Sequence, residues 1–277
     1  DQIVENPDML QLGGERREMT PFFSDVQGFS TISEGLTPEE LVQLLNEYLT
    51  AMCEIISSYN GTIDKFEGDA IIAFWGAPLE LPNHASTACF ATLEMQKRGE
   101  ELRKMLLEQN RPMLHTRMGL NSGPVVVGNM GSADRMDYTM MGDVVNLAAR
   151  LEGANKFYKT FTMISGSTYE LAKDDVDCRE LDILRVVGKK EPVQVFELLA
   201  RKNETSSEKS GVVEQYLRGL KLYKDKNFKD AIAEFEKVLK LDPEDGPAQT
   251  YVKRCGMFLE TPPEKDWDGV FTHTDKG

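Results

Sequence analysis

Two acidic residues stand where chemistry on a phosphate would need them. Asp25 closes a short β-rich run, Thr20–Ser24, and leads into the turn Val26-Gln-Gly28. A carboxylate at a strand end, beside the backbone N–H groups of a glycine turn, can hold a divalent cation and a phosphate together. Asp69 lies between Gly68 and Ala70, at the tip of a hairpin with arms Thr62–Phe66 and Ala70–Trp75. Each acid alone reads first as a turn residue, because Asp side chains satisfy turn backbones. Together, on adjacent strands of one sheet, the two can hold a pair of metal ions about 4 Å apart. Farther on, Asn146 and Arg150 lie four residues apart behind Gly142-Asp143, so they share one helix face. A solvated surface is the plain alternative for that pair. His84, His115 and His273 form no cluster, and the first two read as structural or solvated; Gly119, Gly123 and Gly128 make no G-x-G-x-x-G loop and read as strand-turn geometry.

Positioning these groups takes an ordered scaffold, and the hydrophobic pattern supplies one. Thr37-Pro-Glu-Glu signals a helix start, with an N-cap threonine, proline in the first turn and two acids near the positive end. Leu41, Leu44, Leu45, Tyr48, Leu49, Met52, Ile55, Ile56 and Tyr59 then recur at three and four, up to Asn60-Gly61. A second long helix is expected over about Asn83–Gln109 and a third over Gly142–Ala154. Further strands are expected at Arg117–Asn121, Pro124–Gly128, Thr160–Ile164, Ile183–Val187 and Val193–Leu198. The β-α-β-β-α-β order predicts an α/β (α+β) fold with a ferredoxin-like sheet and flanking helices. Residues 201–211 are polar and read as a linker. Beyond it, Tyr216, Gly219, Leu220, Tyr223, Ala231, Phe235 and Leu241-Asp-Pro243 follow a tetratricopeptide-like spacing, and Gly246–Leu259 suits a further helix. One such unit cannot bury its own apolar face, so it is expected to dock on the main domain or on a protein partner. The expected organisation is a lead-in at 1–19, a catalytic domain at 20–200, the linker, and a helical tail at 212–277.

Composition narrows the partners. The 277 residues carry 32 lysines and arginines against 46 acids, a formal charge of -14. From Asn203 onward the balance is 12 against 15, leaving 20 against 31 in residues 1–202. So acidic a surface argues against coating nucleic acid or an anionic membrane. A polyphosphate would also be repelled, unless cations at the site invert the local field. No apolar stretch approaches the roughly 20 residues of a spanning helix, and no secretory leader opens the chain. Asp1 rather than Met begins it, so a longer parent chain is expected, with any membrane tether upstream and this part in the cytoplasm. Cys53, Cys89, Cys178 and Cys255 lie far apart and read as reduced thiols.

Three segments closely resemble the signature blocks of class III nucleotidyl cyclases. They are Phe23-Ser-Asp-Val-Gln-Gly-Phe-Ser, Asp64-Lys-Phe-Glu-Gly-Asp-Ala-Ile-Ile-Ala-Phe-Trp-Gly-Ala-Pro78 and Tyr138-Thr-Met-Met-Gly-Asp-Val-Val-Asn-Leu-Ala-Ala-Arg-Leu-Glu152. The resemblance covers about Leu12 to Leu199 and implies a palm-type catalytic domain. It implies Asp25 and Asp69, with the Val26 carbonyl, as ligands of two divalent cations, Mg²⁺ or Mn²⁺. It implies Lys65 and Thr139 as the purine-selecting pair, with Gly28, Phe29 and Ser30 in the substrate site. Asn146 would orient the ribose and Arg150 neutralise the α-phosphate. Lys189 would hold the terminal phosphates, although Val187 departs from the common pattern and Lys190 competes. The implied activity is adenylyl cyclase, with ATP as substrate at sites shared across a homodimer. Guanylyl cyclase and a catalytically silent regulatory dimer are the alternatives; Lys65 counts against the first and the retained Asp25, Asp69, Asn146 and Arg150 against the second.

Overall fold

The computed structural model describes residues 13–132, 135–185, 192–264 and 267–270. In chain order its first elements are β1 (Gly13–Val26), α1 (Phe29–Glu34), α2 (Pro38–Ser58), β2 (Thr62–Glu67), β3 (Ala70–Trp75) and α3 (His84–Glu108). β4 (Thr116–Leu120), β5 (Gly123–Gly131), β6 (Met136–Met141), α4 (Asp143–Tyr158), β7 (Thr162–Ser165) and α5 (Gly166–Ala172) follow. β8 (Val176–Leu184), β9 (Val193–Arg201), α6 (Ser207–Lys224), α7 (Phe228–Leu241) and α8 (Gly246–Glu260) complete it.

The strands form one sheet in the order β2-β3-β1-β4-β7-β9-β8, with β5 and β6 branching from β1. Its β2-β3-β1-β4 part, crossed by α2 and α3, is the expected ferredoxin-like arrangement. β1 is long enough to serve two partners. Its second half lies between β3 and β4, with Phe22 opposite Ala73 and Leu120, while its first half pairs with β5, Gly13 opposite Asn129.

Strand alternation sorts side chains onto two faces. Ile71, Ala73, Trp75, Met118 and Leu120 pack in one core with Leu44, Tyr48, Met52 and Ile56 of α2 and Ala88 and Met95 of α3. The intervening Ile72 and Phe74 join Met19, Val125, Val127, Met140 and Val145 on the opposite side. Gly119, between Met118 and Leu120, faces α4, and a Cβ there would lie 2.2 Å from the Glu152 nitrogen and 2.6 Å from the Ala148 oxygen. Glycine is thus what lets α4 lie directly on β4. α2 begins as its sequence dictates: Thr37 Oγ1 accepts the Glu40 N–H at 3.3 Å, and the Glu40 carboxylate accepts the Thr37 N–H at 2.9 Å.

The helical tail docks on the main domain. Val212, Tyr216, Leu220, Phe235 and Tyr251 share a core with Leu151 and Tyr158 of α4 and Leu181 of β8. The Tyr216 and Tyr251 hydroxyls donate to the Leu181 carbonyl at 3.1 and 2.8 Å. Two buried arginines add ion pairs across this junction: Arg179 of β8 with Asp245 at 2.6 Å, and Arg254 of α8 with Asp182 of β8.

Several expected boundaries move. Gly13–Met19, expected in the lead-in, is the half of β1 that pairs with β5. The expected linker shrinks to residues 202–206, because β9 runs to Arg201 and α6 begins at Ser207, capped by Ser206 Oγ accepting the Lys209 N–H at 3.2 Å. A polar first helical turn looks like a linker by composition alone. β6, α1 and α5 had no clear pattern, and β8 starts seven residues before the expected Ile183.

Candidate active site

Asp25 and Asp69 come together at one end of the sheet. Asp25 is the penultimate residue of β1, and Asp69 follows Gly68 in the β2–β3 turn, where φ is +65°. That left-handed backbone is the reason for glycine at 68. The Val26 N–H donates to Asp69 Oδ2 at 2.8 Å and ties the turn to the end of β1. Burial raises the Asp69 pKa; the Val26 N–H lowers it, and the charge of Asp25 raises it further. Behind them, the buried Tyr48 hydroxyl is pushed up to about 12, chiefly by burial, with both aspartates adding to the shift.

Arg117, paired opposite Asp25 on β4, is the counterion. Its Nη2 lies 3.0 Å from Asp25 Oδ2 and its Nε 3.1 Å from Glu152 Oε1 on α4. Burial raises Glu152 to about 7, against the pull of Arg117 in the other direction. Two adjacent carboxylates, one of which holds its proton more tightly because of burial and the other's charge, suit divalent cations. Both supply hard oxygen donors, as the neighbouring Val26 carbonyl also would. Among the described residues no group of three or more His, Cys, Asp or Glu side chains could hold a metal. Two carboxylates completed by substrate phosphates and water is the usual manner of holding Mg²⁺.

Lys65 and Thr139 also meet, through a residue the sequence did not single out. Thr139 Oγ1 on β6 donates to Asp64 Oδ2 at 2.8 Å, and Lys65 Nζ stands 3.9 Å from Asp64 Oδ1. Regular alternation would send residues 64 and 65 to opposite faces. β2 is instead irregular here: Ile63 pairs with Ala73 and Lys65 with Ile72, so Asp64 is an extra residue with no partner on β3. Burial raises the Asp64 pKa, while Thr139 and Lys65 pull it down. Its only sequence signal was an acid beside Lys65 in the second block.

Asn146 and Arg150 are exposed on α4, one turn apart. Gly142, at φ +137°, starts the helix, and Asn121 Nδ2 donates to the Val144 carbonyl at 2.8 Å. Gly28 caps α1 in the left-handed region at φ +69°; the Phe29 ring packs against the main core, and Ser30 is exposed. Lys189, with Val187 and Lys190, lies outside the described residues, as does His273. His84 is buried and shares a hydrogen bond of 2.7 Å with Thr20 Oγ1, and burial lowers its pKa. Among the described residues, no hydrogen bond or ion pair joins Lys65, Thr139, Asn146 or Arg150 to Asp25 or Asp69. The link is indirect, from Asp25 through Arg117 to Glu152, two residues beyond Arg150.

The sheet has the topology of a cyclase palm, as comparison with known proteins shows. The family model for the adenylate and guanylate cyclase catalytic domain matches residues 14–199, and the chain belongs to that family. It is 39% identical over 184 residues to adenylate cyclase 1 of Rhizobium meliloti, covering 66% of this chain and 28% of that protein. A terminal-differentiation-specific adenylate cyclase of Dictyostelium discoideum is 31% identical over 251 residues, 88% of this chain and 12% of its own, so that match reaches past the family model into the helical tail. The chain thus spans under a third of the length of either relative. Among solved structures, the adenylyl cyclase CyaB from P. aeruginosa superposes with a TM-score of 0.64 at 39% identity, over 70% of this chain and all of that one. The guanylyl cyclase Cya2 gives 0.65 at 36%, over 70% and 97%.

Proposed function

We propose that this domain converts ATP to 3′,5′-cyclic AMP and pyrophosphate at sites shared by two copies of the chain. One observation carries the reading: a single chain holds both the Asp25–Asp69 pair and the separate Lys65–Asp64–Thr139 cluster, with no direct bond between the two groups among the described residues. In the reaction the ribose 3′-hydroxyl attacks the α-phosphorus in line, the bond to the bridging oxygen breaks, and pyrophosphate leaves as the hydroxyl proton is lost. Two divalent cations, when bound by Asp25, Asp69 and the Val26 carbonyl, supply charge neutralisation and make that hydroxyl more acidic.

The chain's other residues bind and orient. Lys65 donates to adenine N1, and Thr139 accepts from the N6 amino group. Against guanine, the ammonium would oppose the N1–H, two donors facing each other, at a cost of about 1–3 kcal/mol. Gly28, Phe29 and Ser30 follow Asp25 into the substrate site, with backbone N–H groups as their contribution. Asn146 holds the ribose, Arg150 neutralises charge growing on the α-phosphate, and Lys189 holds the terminal phosphates. The tail, tetratricopeptide-like in spacing, braces β8 and α4.

The test is complementation. Asp25→Asn and Arg150→Ala are each expected to be nearly inactive. After subunit exchange, half of the dimers are mixed, and each mixed dimer has one intact site, so activity should recover to about a quarter of wild type. Exchange proven by labelled subunits, with no recovery, would refute the shared site.

A further inference from the structure

A threonine hydroxyl is ambivalent: it has one proton to give and lone pairs that accept. Left free, it could turn its lone pairs to the amino group of adenine or its proton to the O6 of guanine. By itself it therefore selects neither base.

In this structure Thr139 is not free. Its Oγ1 lies 2.8 Å from Asp64 Oδ2, and an ionised carboxylate can only accept, so the hydroxyl proton is committed to Asp64. What remains for a base is the acceptor side of Thr139. The other carboxylate oxygen, Asp64 Oδ1, is buried with no hydrogen-bond partner among the described residues; burial opposes its charge, while the Thr139 hydroxyl and Lys65 Nζ, 3.9 Å away, favour it. The Asp64 side chain is only 3% exposed, against 45% for Lys65. Asp64 therefore acts through its neighbours, and the β2 irregularity at its position is what brings it beside both.

We propose that Asp64 fixes the hydrogen-bond polarity of Thr139 and thereby sets the preference for adenine over guanine. Asp64 is a positioning residue, and its role rests on the reading that Lys65 and Thr139 face the purine. One acid makes the site donor-only at Lys65 and acceptor-only at Thr139, the complement of adenine's N1 and N6. Without it, Thr139 regains the option of donating to O6.

The experiment compares kcat/KM for ATP, GTP and inosine triphosphate in the full chain with saturating Mn²⁺. Inosine carries guanine's N1–H and O6 without its 2-amino group. Asp64→Ala should lower the ATP:GTP and ATP:ITP ratios about tenfold, the size of one misdirected hydrogen bond. Asp64→Asn, which keeps the shape and can turn its amide N–H to Thr139, should move them the same way and decides the matter if the alanine variant does not fold. A purely structural loss lowers all three substrates together and leaves the ratios alone. Thr139→Val should lower the ratios too, and adding Asp64→Asn to it should change them no further. Unchanged ratios in the Asp64 variants, with Thr139→Val lowering them, overturn the role of Asp64 and keep the purine reading. An Asp64 effect that persists in the Thr139→Val background overturns it as well. Unchanged ratios in Thr139→Val mean the purine is read elsewhere, and both fall.

Discussion

Arg254→Met tests whether the helical tail is part of the catalytic domain's core. Arg254 and Asp182 have side chains 3% and 4% exposed, so neither charge has water to fall back on. Burial opposes the charge on Arg254 most strongly, but Asp182 and the three tyrosines Tyr158, Tyr251 and Tyr223 together outweigh it and keep the guanidinium protonated. Asp182 also accepts from the Tyr158 hydroxyl at 2.5 Å and from the Ile183 N–H at 2.7 Å. Methionine fills much of the aliphatic volume but leaves a buried carboxylate with two neutral donors and no cation. Breaking such a pair costs about 3–5 kcal/mol, a large share of the roughly 5–15 kcal/mol stability of a typical domain. At about 2–4 °C per kcal/mol for a chain of this size, Tm should fall by about 10 °C. Adding Asp182→Asn removes the stranded charge and keeps an acceptor for Tyr158, so the double variant should return to within about 2 kcal/mol of wild type. Thermal unfolding measures the stability, and protease cleavage within residues 202–206 reports release of the tail. Losses that simply add in the double variant would refute the reasoning, as would an Arg254→Met protein with unchanged Tm.

Gly119→Ala should strike the site from behind: its Cβ would meet α4 backbone at 2.2 and 2.6 Å, so the helix carrying Asn146 and Arg150 must shift. Overpacking of this kind costs about 1–3 kcal/mol, and kcat should fall about a hundredfold if the helix moves by about 1 Å; a variant with wild-type kcat would show that α4 need not be held so closely. Glu152 should give a pH signature in metal-free buffer. Burial raises it to about 7 from an ordinary 4.5, so the folded chain binds this proton more tightly than the unfolded one. Its contribution to stability is therefore present at low pH and lost as pH rises from about 4.5 to about 7. Glu152→Gln should flatten that limb in urea midpoints, and parallel curves for the two proteins would count against the burial argument.

Local chemistry alone made much of this protein legible. The α2 start was readable because Thr37-Pro-Glu-Glu is a complete capping signal, and the β2–β3 hairpin because Gly68 permits a left-handed turn. The Asp25, Lys65, Asp69, Asn146 and Arg150 positions stood in long blocks whose order and spacing were distinctive. Other features depended on contacts between distant segments. Ile71–Trp75 is apolar on both faces, so its pattern could not say that alternate residues serve α2 and α3 on one side and β5, β6 and α4 on the other. β6 escaped because Met136–Met141 is largely exposed and its place is set by pairing with β5. The junction at 201–211 looked like a linker because an exposed helical turn and a disordered one have the same composition.

The tail shows the same division most sharply. Its helical spacing follows from residues within it, whereas its docking depends on Asp182 and Arg254, which are 72 positions apart and unremarkable by their neighbours. Asp64 is the parallel case at the site. Only an irregularity in β2 and the approach of β6 turn an ordinary strand acid into the partner of both Lys65 and Thr139. Periodicity and capping act within a few residues and are written in sequence. Charge pairing in a water-excluded interior acts only once the chain has brought its partners together, so tertiary structure alone decides it.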